Sequence, residues 1–370
     1  MRIGVTGSEG LIGWHLGCHI KTQPDLALKR GMRADFANEE ALRRFVSDCD
    51  AIVHLAGMNR GEDSVVAATN IRLAEQLAGA LKAEGKKIPV AFSNSTHVDR
   101  GTPYGESKKK AAAILRDWAE SSGGRFINLI LPHVFGEHGK PFYNSAVSTF
   151  CHQLAIGETP QIQVDTELEL VHGLEVSREF VAKIREGFHG EYRMSGRKIR
   201  VSAVLEKLRG FHASYVGQGV VPDVRDRFDL LLFNTLRSYL YPTSYPVDLV
   251  LRTDARGSLF EAEKDLNGGQ CFVSTTKPGI TRGNHFHQYK IERFCVVQGE
   301  ARIQIRKLFS KEVRDFVVSG SKPQYIDMPT LHTHNITNIG QGELVTLFWS
   351  HEIFDPSQPD TVAEPMEGAH

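Results

Sequence analysis

The sequence predicts an α/β domain with a doubly wound parallel sheet, followed by an all-β domain. Short apolar runs alternate with helical patterns through the first 135 residues, which is typical of a parallel sheet covered on both faces. After residue 246, short strands follow one another across Gly, Pro, Asn and Asp turns without a helical pattern, which favours a barrel or jelly roll. A length of 370 residues also fits two domains.

The positions of the apolar runs predict the elements of each domain. In the first domain we expect strands at 1–5, 50–56, 88–93 and 126–131, and helices at 11–20, 67–86 and 104–121. Residues 140–240 are less regular and are expected to form a smaller lobe. In the second domain the predicted strands are 247–251, 270–274, 292–297, 301–305, 313–318, 324–328 and 344–349. Two prolines lie within 241–246, so the predicted domains are 1–243 and 244–370.

Composition argues against several functions. Lys+Arg and Asp+Glu both number 44, so the formal net charge is zero, and neither a nucleic-acid nor a membrane partner is indicated. No run approaches the roughly 20 apolar residues of a membrane helix. Five cysteines are scattered without a CxxC pair, which indicates free thiols in a reducing compartment. The cytoplasm is therefore the expected location.

A glycine loop follows the first strand and opens the first helix. The glycines of Thr6-Gly-Ser-Glu-Gly-Leu-Ile-Gly13 permit a tight turn and a close approach of the backbone to a pyrophosphate. The helix N-terminus adds free N–H groups and the positive end of its dipole. The sequence therefore predicts a dinucleotide site of the Rossmann type. Its residues would be Gly7, Gly10, Leu11, Ile12 and Gly13.

The second strand indicates which dinucleotide is bound. About 20 residues beyond the loop, where an acidic residue would bind the 2′-hydroxyl of NAD, the chain has Arg30 and Arg33. These cations favour NADPH, although an ordinary solvated basic turn gives the same pattern. Further cofactor contacts are expected from the end of the next strand and the helix after it, at Leu55, Ala56, Gly57 and Asn70.

Tyr104 and Lys108 lie four residues apart on a predicted helix and therefore on one face. A free tyrosine has a pKa near ~10, and a neighbouring ammonium favours the phenolate and lowers that pKa. In a reduction Tyr104 would protonate the carbonyl oxygen, and Lys108 would also hold the nicotinamide ribose. Ser95, with Thr96 in reserve, is expected to orient the carbonyl.

Together these motifs resemble the extended short-chain dehydrogenase/reductase family. The resemblance covers TGxxGxxG at 6–13, HLAG at 54–57, the serine cluster at 93–96, YxxxK at 104–108 and PHVFG at 132–136. It implies a nicotinamide-dependent reductase in which Pro132 lies beside the cofactor. Ile130 and His133 replace the Arg and Asn of the family's RxxNxFG pattern. The stretch 140–145 resembles the sugar-contacting loop of nucleotide-sugar members. The predicted substrate residues are Thr96, His133, Lys140 and Asn144.

A second group of polar residues lies in the all-β domain. His285 and His287 share one face of a predicted strand, Glu292 opens the next strand, and His334 follows later. Imidazoles with one carboxylate suit zinc or a related divalent metal. A metal-free barrel whose polar residues line a sugar pocket is the alternative.

The spacing HxHx4Ex6G, followed by PxxxxHxxxN, resembles the cupin family, whose members are jelly-roll barrels. Asp254-Ala-Arg-Gly257 and Thr281-Arg282-Gly-Asn-His285 further resemble the sugar-nucleotide 3,5-epimerase branch of the cupins. That resemblance implies that His285 is a base next to a ketone and that Arg282 binds nucleotide phosphates. His285 is thus a predicted metal ligand, a predicted base, or both.

A reductase joined to an epimerase-like cupin resembles a family of capsular-polysaccharide and O-antigen enzymes. The resemblance extends to KPxYNSxxxTFCHxxA at 140–155 and to the stretches MPxxxTHNIxN and FDPxQPDT. It implies a UDP-2-acetamido-2,6-dideoxy-4-ketohexose as substrate, C3 epimerisation by the cupin, and reduction of C4 with NADPH to UDP-2-acetamido-2,6-dideoxy-L-talose. Because cupins often pair through their sheets, a homodimer is expected.

Three alternatives stay open at this stage. The chain can be a 4-ketoreductase whose cupin only binds sugar or dimerises. It can be a sensor that binds a nucleotide sugar, although the set of Ser95, Tyr104 and Lys108 argues against this. It can also be a cupin dioxygenase fused to a dehydrogenase.

Overall fold

The computed structural model describes residues 1–367, which form two compact units that interleave along the chain. The first comprises Met1–Lys140 and Asp165–Val201, and the second comprises Pro141–Val164 and the chain from Ser202 onward. Residues 368–370, the end of the predicted cupin domain, lie outside the described residues. Because the units interleave, the boundary between residues 243 and 244 stays a prediction.

The helices of the two units include four in the stretch 140–240, which the sequence analysis expected to be less regular. They are α1 (Leu11–Lys21), α2 (Glu39–Ser47), α3 (Asp63–Ala83), α4 (Pro103–Ser122), α5 (Ala146–Ala155), α6 (Gly173–Arg185), α7 (Val201–His212) and α8 (Arg227–Leu240). None of these is long and apolar enough to cross a membrane.

Nine strands belong to the first unit. They are β1 (Arg2–Thr6), β2 (Ala27–Gly31), β3 (Ala51–His54), β4 (Pro89–Ser95), β5 (Arg125–Leu131), β6 (His133–Phe135), β7 (Glu167–His172), β8 (Gly190–Arg193) and β9 (Arg197–Arg200). Six form a parallel sheet in the order β2-β1-β3-β4-β5-β8, and β6-β7-β9 form a small second sheet. Strand β2 pairs with one edge of β1 and β3 pairs with the other edge, so the order of the strands reverses at β1. The crevice beyond the carboxyl ends of β1 and β3 is therefore the expected ligand site of such a sheet.

Two apolar clusters bury the faces of the large sheet. On one face, Ile52 and Phe126 pack with Phe45, Leu77 and Leu115 of helices α2, α3 and α4. On the other face, the next residues along the same strands, Val53 and Ile127, pack with Leu16, Ile20, Phe180 and Ile184 of helices α1 and α6. Neighbouring residues of a strand point to opposite faces, so apolar residues are needed at both positions. The predicted doubly wound α/β fold is confirmed.

Twelve strands belong to the second unit. They are β10 (Val247–Asp248), β11 (Arg252–Asp254), β12 (Gly257–Leu259), β13 (Gln270–Thr276), β14 (Thr281–Phe286), β15 (Glu292–Gln298), β16 (Glu300–Lys307), β17 (Val313–Ser319), β18 (Gln324–Met328), β19 (His332–Asn338), β20 (Leu344–Ser350) and β21 (Val362–Ala363). Two antiparallel five-stranded sheets, β10-β18-β15-β20-β13 and β17-β16-β19-β14-β21, share one apolar core. The predicted jelly-roll architecture is confirmed. The strand predicted to carry both His285 and His287 is β14, but it ends at Phe286, so His287 lies in the turn that follows it. Strand β19 was not predicted, because its imidazole and amide side chains interrupt the apolar pattern.

A buried ion pair joins two strands of the second unit. Arg293 donates to both carboxylate oxygens of Asp327, at 2.6 and 2.8 Å, and both side chains are excluded from solvent. Tyr215 donates a hydrogen bond to the same carboxylate and lies 2.6 Å from the hydroxyl of Tyr245. Burial opposes ionisation of Asp327, but Arg293 more than compensates and lowers the pKa of Asp327. The pair links the barrel to the chain segment that contains α7 and α8.

Replacing Asp327 by Asn should lower the free energy of unfolding by about 1–3 kcal/mol, because the buried guanidinium of Arg293 loses its two-point carboxylate partner and keeps the carboxylate of Glu263, 3.0 Å away. Urea unfolding followed by circular dichroism measures this change. Asp315→Asn is the matched control, since Asp315 is exposed and accepts a hydrogen bond from the uncharged Gln304 across β16 and β17. Equal destabilisation by the two variants would show that the ion pair adds nothing beyond an exposed carboxylate.

Candidate functional site

The glycine loop lies at the switch point of the large sheet. The hydroxyl of Thr6 accepts the backbone N–H groups of Leu55 and Ala56 at 3.2 Å, which joins the loops after β1 and β3. Gly7 has φ of +69°, and a Cβ there would lie 2.8 Å from the nitrogen of Ala56. A Cβ on Gly13 would lie 2.3 Å from the carbonyl oxygen of Gly7. The structure thus brings these predicted cofactor residues together through backbone approaches that only glycine permits.

The first turn of α1 is free to receive a phosphate group. Gly10 is its N-cap and offers no side chain to the helix, so the N–H groups of the first turn, at Leu11, Ile12 and Gly13, have no capping side chain. Such a terminus attracts an anion through its N–H groups and its dipole.

Of the two predicted phosphate-binding arginines, Arg30 lies within β2 next to its last residue, and Arg33 follows the strand. Arg30 is half-buried and approaches the carboxylate of Glu9 to 4.0 Å, and Arg33 is exposed. Asp35 is an acidic residue of this loop that the sequence analysis passed over. Its carboxylate accepts the N–H of Met32 at 2.7 Å.

Asn70 fixes the loop that ends in Gly57. Its side-chain amide donates to the carbonyl oxygen of Met58 and to the hydroxyl of Ser107, and its oxygen accepts the N–H of Met58 at 2.7 Å. A Cβ on Gly57 would lie 3.0 Å from the oxygen of Asn70 and 4.0 Å from the ammonium of Lys108. Asn70 therefore supports the predicted cofactor site by holding Gly57 close to Lys108.

Helix α4 places Tyr104 and Lys108 one turn apart, as predicted. Thr102 caps this helix by accepting the N–H of Gly105 at 3.1 Å. The ammonium of Lys108 is buried, donates to the carbonyl oxygen of Ser93 at 2.7 Å, and lies 4.3 Å from the ring centroid of Phe92. Burial lowers the pKa of Lys108 to about 8. Near neutral pH the site therefore contains a cation with one fixed hydrogen bond and further donors to offer.

The side chains around Tyr104 include an imidazole that the sequence analysis missed. The ring of His97 lies 5.9 Å from the ring of Tyr104 and 6.0 Å from the ring of His133, measured between centroids. Burial lowers the pKa of both histidines, so both are neutral at pH 7 and exchange hydrogen bonds rather than charge. The position of His97 directly after the serine cluster was the available signal.

The other predicted residues of this region lie at several places. Ser95 ends β4, and its hydroxyl accepts the N–H of His97 at 3.3 Å, with Thr96 next in the chain. Pro132 is buried directly after β5. Lys140 ends the first unit, whereas the exposed Asn144 belongs to the second.

The four predicted metal ligands converge inside the barrel. Their ligand atoms, on His285, His287, Glu292 and His334, all lie within 4.8 Å of one another. The Nε2 atoms of His287, His334 and His285 are 3.2, 3.4 and 3.9 Å from one carboxylate oxygen of Glu292. The side chain of His285 is 23% exposed while those of His287 and His334 are at most 2% exposed, so the cluster opens at His285.

Hydrogen bonds at the far ring nitrogens fit these histidines to a cation. The Nδ1–H of His287 donates to the carbonyl oxygen of Asp360, and that of His334 donates to the carbonyl oxygen of His332. In its neutral form each ring therefore points an Nε2 lone pair into the cluster. Among residues 1–367 the buried Nε2 atoms of His285 and His334 have no hydrogen-bond partner. A divalent metal would satisfy these lone pairs and the carboxylate.

The electrostatics of the cluster agree with that fit. Burial lowers the pKa of His334 to about 4, so this ring is neutral. Burial also acts on Glu292 and His287, but their mutual attraction is stronger and keeps the pKa of Glu292 well below its usual range and that of His287 raised. Metal binding would release the proton of His287, since only a neutral imidazole is a ligand.

Arg282, predicted to bind phosphate, lies on β14 three residues before His285. Its guanidinium donates to the hydroxyl of Thr276 and to the carbonyl oxygen of Thr275, both at 2.9 Å. The side chain is exposed and extends along the end of β13. Its predicted role toward phosphates stays a prediction.

A second buried cluster, in the first unit, has different hydrogen bonds. The Nδ1 of His172 accepts the N–H of Leu174 at 3.2 Å, so its Nε2 carries the proton and donates to Glu137 at 2.9 Å. The Nε2 of His15 lies 2.9 Å from the carbonyl oxygen of Glu137. The protonated Nε2 of His172 is unavailable to a metal. This cluster is therefore a hydrogen-bonded link between α1 and the segments that contain Glu137 and His172.

The fold and its sites define the class of protein. The glycine loop at the switch point of a parallel sheet, with Tyr104 and Lys108 on one helix face, is that of a short-chain dehydrogenase/reductase. The antiparallel barrel with converging imidazoles is a cupin. Residues 3–182 match the NAD dependent epimerase/dehydratase family, and residues 252–362 match the Polysaccharide biosynthesis C-terminal domain.

Known proteins share this combination over nearly the whole chain. The chain is 31% identical over 383 residues to the UDP-2-acetamido-2,6-beta-L-arabino-hexul-4-ose reductase of Pseudomonas aeruginosa, with 98% of each chain covered. It is 33% identical to the crystal structure of the capsular polysaccharide assembling protein CapF from Staphylococcus aureus, with a TM-score of 0.64, and the match covers 99% of this chain and 100% of that one. The UDP-glucose 4-epimerase of Thermus thermophilus, solved with NAD, shares only the fold, at 16% identity, a TM-score of 0.54 and coverage of 65% of this chain and 100% of its own. The chain belongs to the CapF-type family of capsular polysaccharide biosynthesis enzymes, an extended short-chain dehydrogenase/reductase joined to a cupin.

Substituting Ala for Gly13 should weaken dinucleotide binding by about 10- to 100-fold, since the new methyl group has no room beside Gly7 and displaces the loop at a cost of roughly 1–3 kcal/mol. Fluorescence titration with NADPH measures the affinity. Gly79→Ala is the matched control, because a Cβ on this α3 residue meets nothing within 4 Å. An unchanged affinity in Gly13→Ala would contradict the proposed path of the cofactor over the loop.

Proposed function

We propose that the chain is a bifunctional nucleotide-sugar enzyme of UDP-N-acetyl-L-fucosamine synthesis. The cupin epimerises a UDP-2-acetamido-2,6-dideoxy-4-ketohexose at C3, and the first unit then reduces C4 with NADPH to UDP-2-acetamido-2,6-dideoxy-L-talose. The observation that carries the proposal is the 98% mutual coverage with a relative named as a UDP-hexul-4-ose reductase, together with two separate polar sites in this chain. The alternative is a 4-ketoreductase whose cupin only binds or dimerises.

In the reduction, Tyr104 gives its proton to the C4 carbonyl oxygen. The ammonium of Lys108 favours the phenolate that remains and offers its free donors to the nicotinamide ribose. NADPH, when bound, supplies the hydride that reaches C4. Ser95 orients the carbonyl, and the neutral rings of His97 and His133 are available to the sugar substituents. The cations Arg30 and Arg33 support the choice of NADPH, because Arg30 lies at the carboxyl end of β2 and Arg33 just beyond it, where such a sheet meets the adenosine ribose.

In the epimerisation, His285 removes the proton at C3 and keeps it, and C3 then takes a proton derived from solvent on the opposite face. His285 suits this role because it is the most exposed imidazole of the cluster. His287, Glu292 and His334 would hold zinc or another divalent metal, which would supply the Lewis acidity that acidifies the C–H bond beside the ketone. In the alternative arrangement, His285 would be the fourth ligand and not the base. Epimerisation comes first, because reduction removes the ketone that makes C3 acidic.

Two further expectations stay predictions. They are a homodimer and a cytoplasmic location.

Incubation with the UDP-4-keto sugar and NADPH in D2O tests the proposal. The wild type should oxidise NADPH and yield a product with deuterium at C3, as shown by NMR. Tyr104→Phe should lose NADPH oxidation by at least about 100-fold, because it removes the proton donor, and should retain deuterium incorporation. Tyr192→Phe is the control, since Tyr192 is a half-buried tyrosine of β8 that packs on Lys183.

The outcomes separate the alternatives. Oxidation of NADPH without deuterium at C3 in any variant would favour the single-function reductase. Loss of both activities in Tyr104→Phe would argue against separate sites. Absence of NADPH oxidation by the wild type would overturn the reductase.

The pH dependence should follow Lys108. Its ammonium is present below its pKa of about 8 and is lost as pH rises through that value, so kcat/KM for ketone reduction should fall above pH 8, by about tenfold per pH unit. Lys108→Arg keeps its charge at these pH values and should move this decline upward, at a lower overall rate. A decline that stays near pH 8 in Lys108→Arg would assign it to another group.

A further inference from the structure

Asp360 is a buried carboxylate that the proposed reactions do not use. One of its oxygens accepts the N–H of Gln288 at 2.9 Å, and the other accepts the N–H groups of Tyr289 and Lys290, both at 2.8 Å. The residue is 7% exposed. It thus binds three consecutive N–H groups of the turn that joins His287 to β15, from a position 70–72 residues later in the chain.

The backbone of Asp360 contacts His287 directly. Its carbonyl oxygen accepts the Nδ1–H of His287, while the Nε2 of the same ring lies 3.2 Å from the carboxylate of Glu292. The backbone of Asp360 therefore fixes which nitrogen of His287 carries the proton. The side chain of Asp360 fixes where the turn that follows His287 lies.

The residues after Asp360 bind to β14 and β19, the strands that carry His285 and His334. Strand β21 pairs with β14, with Ala363 opposite His285. The N–H of Glu364 donates to the carbonyl oxygen of Asn284 at 2.9 Å, and the hydroxyl of Thr333 donates to the carbonyl oxygen of Glu364 at 2.6 Å. Segment 360–364 therefore spans β14 and β19 next to the cluster.

We propose that Asp360 is a positioning residue that sets the orientation of His287 and thereby the metal affinity of the cupin cluster. The inference rests on the proposed metal site. Polar partners of a ligand's second nitrogen commonly change metal affinity by about 10–100-fold when they are altered. In Asp360→Asn the amide keeps one acceptor but brings an N–H group against backbone donors. At least one of the three hydrogen bonds is then lost, and the carbonyl moves relative to His287.

Titration of the full chain with Co2+ in the presence of a competing chelator tests the proposal. We expect Asp360→Asn to bind Co2+ about 10–100-fold more weakly than the wild type. The visible spectrum of the bound Co2+ should also change, because it reports the coordination geometry. Asp355→Asn is the matched control, since its exposed carboxylate lies in the same loop but accepts from the N–H and the hydroxyl of Ser357 and not from the turn after His287. It should keep both the affinity and the spectrum.

Each outcome decides a different question. If the wild type does not bind Co2+, the metal site and this inference are both overturned. If the wild type binds and Asp360→Asn matches it in affinity and spectrum, only the role of Asp360 is overturned. If Asp360→Asn does not fold by circular dichroism, Asp360→Glu replaces it. This variant keeps a carboxylate displaced by one methylene, and we expect a smaller loss of affinity with an altered spectrum. Wild-type values for that variant would overturn the inference.

Discussion

Arg293 and Asp327 face each other on neighbouring strands of the barrel, and both are excluded from water. An unpaired charge at either position is strongly destabilising, so the pair constrains the register of β15 against β18. Because side chains alternate along a strand, placing Arg293 on the outer face places Glu292 and Phe294 on the inner face, where Phe294 lies against the ring of His334. Other parts of the chain must then exclude water from the outer face. Tyr215 and Tyr245 contribute to this, since Tyr215 is hydrogen-bonded to both Asp327 and Tyr245. The same constraint thus explains the inward carboxylate and the association of residues 202–245 with the barrel.

The two buried clusters differ in which ring nitrogen of their histidines carries the proton. In the cupin, carbonyl oxygens accept the Nδ1–H of His287 and His334, which leaves the Nε2 lone pairs for a cation. In the first unit, a backbone N–H donates to the Nδ1 of His172, which commits its Nε2–H to Glu137. Residue types and separations are similar in both clusters. The backbone group opposite Nδ1 decides whether the histidine is a ligand or a link in a hydrogen-bonded network.

The parts of the molecule that sequence predicted well are those determined over short distances. The glycine loop depends on a turn between adjacent elements, Tyr104 and Lys108 depend on helix periodicity, and His285, His287 and Glu292 lie within eight residues of one another. Apart from His334, which the cupin-like spacing indicates, contacts between residues distant in sequence were not predicted. His97 meets His133, and Asp360 meets His287, only after the strands are arranged. The grouping of 141–164 and 202–245 with the barrel likewise rests on long-range burial of polar groups such as Tyr215, which no local pattern records.

The role of His285 determines the function of the cupin. With His285 as a base the cupin is an epimerase, and with His285 as a metal ligand it is a binding module. Four protein ligands complete a tetrahedral zinc site, as in structural sites, whereas catalytic sites keep three protein ligands and an open position. His287, Glu292 and His334 are buried and closest together, whereas His285 is farthest from the carboxylate and the most exposed. With His285 as the base, His287, Glu292 and His334 would be three protein ligands, which is the number that catalytic zinc sites have. With His285 as a fourth ligand the open position is filled and the cupin becomes a binding module. The exposure of His285 favours the open, catalytic arrangement.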